Sequence, residues 1–231
     1  MSKKLIGFVG LVVVMFGGTV QVCAQAAGAA YPTMAPVEQY LIVDKAAEIE
    51  LAKSAAPAAI SDGAEILVLG KDGYSTAVKG GNGFTCLVER SWGKDTGDAE
   101  FWNPKVRAPH CLNAAATKTY LPIVLLKTKM VMAGKAKAEI GAAVKAALDG
   151  KDWPTVAPNA MCYMMSKQQY LSDDDTHWHP HMMWYVAGDA TKTWGANQTG
   201  VPAYAGYVPE DRMTVFMVVV GKWSDGTAFA H

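Results

Sequence analysis

The chain has no surplus of either charge. Its 21 lysines and arginines balance 21 aspartates and glutamates. That balance excludes the basic footprint of a nucleic-acid binder. Several catalytic signatures are also missing. There is no Gly-x-Ser-x-Gly, no Walker A loop and no G-x-G-x-x-G after a strand, which removes the common serine-hydrolase, P-loop and dinucleotide readings. No HExxH or CxxCH occurs, so neither a zincin protease nor a covalent c-type haem is indicated. Beyond the first two dozen residues no apolar run is long enough to span a bilayer. There is no internal repeat and no low-complexity tract apart from alanine richness. Histidine is scarce, with five in 231 residues.

The N-terminus has the three parts of a secretory signal. Lys3 and Lys4 precede the uncharged apolar run Leu5–Phe16, and Val22-Cys23-Ala24 fits the small-x-small cleavage rule. We expect a signal peptide over residues 1–24 and a single domain over residues 25–231. Cleavage after Ala27 is a near alternative, and an uncleaved anchor reaching Val22 is the competing reading. Removal takes two positive charges and no acids, so the net charge falls from 0 to −2. Export implies an oxidising, periplasmic or secreted setting. Cys23 leaves with the signal, and Cys86, Cys111 and Cys162 remain. We expect Cys111–Cys162 to form a disulfide tying the middle of the chain to a sheet. The third cysteine would then be a free thiol.

The coarse pattern is α+β. Residues 36–55 read as a helix, with Pro36 in its first turn. Three short β segments fill residues 65–92, punctuated by Asp72-Gly73 and Asn82-Gly83. Residues 93–117 show no periodicity and read as a long loop. Residues 121–150 read as two helices broken near Ala133-Gly134, the second closed by Gly150. The last third holds three more strand candidates, in "AMCYMMSKQ", "HWHPHMMWYVA" and "MTVFMVVVGKW". The expectation is an antiparallel sheet of about six strands. The N-terminal helix and the central helix pair would share one face. Loops 93–117 and 188–211 would cover a pocket.

The densest chemistry lies in "DDDTHWHPHMMWY". In an extended chain alternate side chains point the same way, so His177, His179 and His181 would share a face. Pro180 lacks an N–H, so the strand would be an edge there or begin near it. Same-face positions lie roughly 6.5–7 Å apart, which lets two imidazoles close on one ion. A straight strand rarely presents three, so further donors are needed. His110, Glu89, Asp175 or a cysteine could supply one, and Asp175 could instead hold an imidazole from behind. Zinc is the first expectation, with copper or iron as alternatives. Met161, Met164, Met165, Met182 and Met183 crowd the same region and are soft donors for Cu(I), or simple gap fillers. A metalloenzyme would need an open coordination position on the ion. No glutamate follows "HWHPH" where a cupin-like site would need one.

A second reading is a cleft for a small apolar ligand, lined by Trp178, Trp184 and Trp102, with the histidines as hydrogen-bonding groups. A third is a cell-envelope interaction protein using its long loops. Expected partners are thus a small molecule or a metal ion, with no nucleic acid and no membrane anchor after cleavage.

The passages "FTCLVERSW", "EFWNPKVRAPHCLN", "AMCYMMSKQQYL" and "HWHPHMMWYV" together resemble a set of exported bacterial proteins with no established activity. The likeness spans most of the chain beyond the signal. It implies a periplasmic or secreted location and says nothing about chemistry.

Overall fold

The structure is a computed structural model, and it describes residues 30–174 and 178–229. The chain begins with a 3-10 turn at Val37–Gln39, followed by α1 (Lys45–Lys53) and α2 (Ala58–Ser61). α1 starts where Asp44 accepts a hydrogen bond from the Ala46 N–H at 2.9 Å. That side-chain cap sets the start nine residues beyond Pro36.

Next come β1 (Glu65–Gly70), β2 (Gly73–Val78) and β3 (Thr85–Glu89). These are not a simple meander. β1 lies between the other two, antiparallel to β2 and parallel to β3. The connection after β2 therefore crosses the start of β1. Gly80 makes that crossing possible, because a Cβ there would lie 2.0 Å from the Glu65 nitrogen.

The region read as a long loop contains two elements. β4 (Ala108–Leu112) is wholly buried, and α3 (Ala114–Thr119) is capped by Asn113, which accepts from the Ala116 N–H at 2.9 Å. α4 (Leu121–Met132) and α5 (Lys137–Asp149) follow, then β5 (Met161–Met164), β6 (His181–Ala187), β7 (Ala203–Val208) and β8 (Met213–Val219). All eight strands form one sheet in the order β2-β1-β3-β4-β5-β6-β8-β7. It has two more strands than expected, and it is antiparallel apart from the β1–β3 pair.

The helices occupy both faces, contrary to the one-face expectation. Ala52, Ala55 and Ala56 near α1 pack on Ile66, Cys86, Val88 and Cys111. Tyr120, Leu121 and Val124 pack with Leu67, Leu87 and Leu112, whose side chains leave the sheet on the other side. The main helix–sheet contacts stop at β5. On the second face, that boundary is where a pocket opens.

The disulfide joins Cys86 to Cys111, not Cys111 to Cys162. Cys86 and Cys111 are directly opposed across β3 and β4. The β4–β5 register sets Leu112 against Cys162 and Tyr163 against Cys111. Cys111 and Cys162 therefore project from opposite faces and cannot meet. A bridge spanning 25 residues contributes about 3 kcal/mol by restricting the unfolded chain. Cys162 is a buried free thiol. No helix among the described residues is long and apolar enough to cross a membrane.

Candidate functional site

Register alone assembles the site. Leu87 and Glu89 of β3 oppose His110 and Ala108 of β4, so all four side chains share one face. Continuing the β4–β5 register by one residue sets Met164 beside His110, and β5–β6 pairing sets Met164 against His181. His110, Met164 and His181 thus form one row across three adjacent strands. Met183 and Tyr185 of β6 and Met213, Val215 and Met217 of β8 continue the same face. Val106, Leu171, Val208 and Asp211 help close a cavity of about 310 Å³ over it. That is the size of a small-molecule site. A second cavity of about 500 Å³, bordered by Trp178, His179 and Tyr204, shares Leu171, His181 and Met217 with the first.

The polar groups gather at the β3–β4 end. Glu89 is 3% exposed. Its Oε2 accepts a hydrogen bond from the Tyr120 hydroxyl at 3.2 Å, while its buried Oε1 accepts none among the described residues. Gly93 lets the carboxylate sit there, since a Cβ at that position would come within 2.5 Å of Oε2. Tyr120 stacks on Tyr185 at 4.1 Å, and the Tyr185 hydroxyl lies 3.2 Å from the Cys162 sulfur. Burial raises the pKa of all three groups and so keeps them protonated. Cys162 is accordingly an inert thiol, not a nucleophile.

The two pocket histidines are held alike. Nδ1 of His110 lies 3.0 Å from the Ala108 carbonyl, and Nδ1 of His181 lies 2.8 Å from the His179 carbonyl. A carbonyl only accepts, so each Nδ1 is assigned the proton and donates it. In a neutral ring Nε2 then keeps its lone pair. Burial is the main cause pushing the His181 pKa down to about 4, helped by the neighbouring His110 and His179, so its ring is neutral at pH 7. Glu89 Oε1 approaches the Nδ1 edge of His110, at 3.6 Å.

Cations near the cavity already have partners. Arg90 pairs with Glu48 at 2.9 Å, and Lys94 pairs with Glu100 at 2.9 Å. Lys127, buried in α4, lies 3.0 Å from Asp211 and 3.7 Å from Glu210. Burial raises the Asp211 pKa, with Lys127 opposing.

Of the histidine triplet, His179 and His181 are among the described residues. His177 and Asp175 lie outside the described residues. β6 begins at His181, so His179 lies outside the strand and its alternation. His179 is exposed, and its ring meets Phe229 edge-on at 5.0 Å. The structure groups His181 with His110 instead. Trp178 borders the second cavity and contacts Tyr170. Trp184 leaves β6 on the opposite face, beside Trp194. Trp102 is core, packed on Phe101. No group of three or more His, Cys, Asp or Glu among the described residues is placed to hold a metal ion.

Sequence reading missed Tyr120, Gly93, Asp211, Met213 and Met217. One signal existed for the Lys127–Asp211 pair, because Lys127 sits three residues after Val124 and four before Val131, on the buried stripe of α4. Comparison with protein-family models, with curated proteins and with solved structures found no significant match.

Proposed function

We propose that this is an exported binding protein whose cavity receives an electron-pair acceptor. That guest is a metal ion, or a small, largely apolar molecule tipped with an amine or hydroxyl. One observation carries the reading: the polar end of the cavity offers lone pairs. Glu89 Oε1 and the two Nε2 atoms are acceptors, while Tyr120 spends its proton on Glu89. Around them the lining is methionine, valine and leucine, which favours an apolar body.

A matched pair of fluorophores tests this. N-phenyl-1-naphthylamine is neutral and carries an N–H donor, and 8-anilinonaphthalene-1-sulfonate adds an anionic group to the same skeleton. The neutral probe should bind with blue-shifted emission, and the sulfonate should bind about tenfold more weakly or worse. Glu89→Gln should narrow the gap. Equal or tighter binding of the sulfonate would refute an acceptor-lined cavity.

A further inference from the structure

We propose that the His110–Met164–His181 row is a Cu(I) site. This deepens the reading of the cavity as a site for electron-pair acceptors, and rests on it.

Donor type comes first. Two histidines of fixed tautomer stand two strands apart, roughly 9–10 Å at Cα by ordinary strand spacing. Between them lies Met164, which is 4% exposed and borders the cavity. Met183, Met213 and Met217 border the same space. Methionines that merely pack a core fill space, and these four surround a void of about 310 Å³. Thioethers with imidazoles select Cu(I) among the common ions. Zinc is the poorer fit. Among the described residues no third His, Cys, Asp or Glu is placed to join the two imidazoles, and the Glu89 carboxylate stands at the Nδ1 edge of His110.

The groups behind the two rings are also in place. Each ring N–H is bonded to a carbonyl, which fixes the imidazole plane before any ion arrives.

Charge is the independent observation. Imidazole and thioether ligands are neutral, so a bound Cu(I) would keep its full positive charge in an apolar cavity. A buried cation needs a counter-charge. Glu89 supplies it: a buried carboxylate with an oxygen accepting no hydrogen bond, and itself paired with no lysine or arginine, among the described residues. A monovalent ion beside one carboxylate is electrically balanced.

The test is an anaerobic titration of the purified protein with Cu(I) against a chromophoric bicinchoninate competitor, with a parallel Zn(II) titration. The wild type should withdraw one Cu(I) per chain. Met164→Leu keeps volume and apolarity, and should weaken Cu(I) about tenfold or more while leaving the circular dichroism unchanged. Glu89→Gln should weaken it roughly 10- to 100-fold. X-ray absorption of the loaded protein should show both nitrogen and sulfur neighbours. Failure to withdraw Cu(I), unchanged affinity in Met164→Leu, or a sulfur-free spectrum overturns the proposal. Zn(II) or the neutral fluorophore binding without Cu(I) would leave the broader reading standing, and binding of none of them removes both.

Discussion

Replacing Arg90 with methionine should destabilise the protein by about 3–5 kcal/mol, the usual cost of stranding a buried partner charge. The Arg90 side chain is fully buried and pairs with Glu48, itself 1% exposed, at 2.9 Å. Its Nε donates to the Tyr40 carbonyl at 2.7 Å, and Nη1 donates to the Val88 carbonyl. Glu48 also accepts from the Leu69 N–H at 3.1 Å. Removing the guanidinium leaves a carboxylate in the core with only a backbone N–H to balance it. The double variant Arg90→Met with Glu48→Leu should recover most of the loss, because a neutral pair of similar volume carries no desolvation penalty. Urea melts of the two variants measure this. The pair bears on function because Arg90 anchors the end of β3 that carries Glu89. Equal destabilisation of single and double variants would show that packing, not charge, dominates.

Acidification should expose His181. Its folded pKa of about 4 lies below the ordinary 6.5. Above pH 6.5 the ring is neutral both folded and unfolded, and contributes no pH dependence. Between 6.5 and 4 the unfolded chain takes up a proton that the folded chain refuses, so stability falls as pH falls. The full effect, reached near pH 4, is about 3 kcal/mol. Carboxylates elsewhere in the chain also respond to acid, so the informative quantity is the wild type minus His181→Gln difference. That difference should be flat above pH 7 and should shift in favour of the variant as pH drops to 4. Parallel profiles would mean that His181 is solvated enough to protonate in place.

Much of the framework was legible. The apolar segments of β1, β2, β3, β5, β6 and β8 are strands, and residues 121–150 are two helices. β4 escaped because it is buried on both sides and so shows no alternation, and because Pro109 argues against a central strand. Hydrogen bonding to β3 and β5 overrides that local signal. β7, with its central glycine, was hidden in a glycine-rich stretch. Of the site, His181 was singled out with His110 and Glu89 as candidate further donors beside it, but which of the candidates would lie next to His181, and Met164 between the two rings, was not legible. Sequence adjacency pointed to His179 as the partner of His181. Pairing across β4, β5 and β6 chose His110, seventy-one residues away. Such register is set by the packing of the whole sheet and leaves no local trace. Cys111–Cys162 misled for the same reason, since facing is a property of register.

Two ring nitrogens carry the chemistry of the cavity. Long-range proton–nitrogen NMR of the imidazoles reports the protonation of each nitrogen directly. At pH 7 His181 should show a protonated Nδ1 and a bare Nε2, the neutral form of His110 should be the same Nδ1–H tautomer, and both Nε2 signals should move on addition of Cu(I) while His179 stays in place. An Nε2-protonated tautomer at either pocket histidine, or Nε2 signals indifferent to every cation and amine offered, would contradict it.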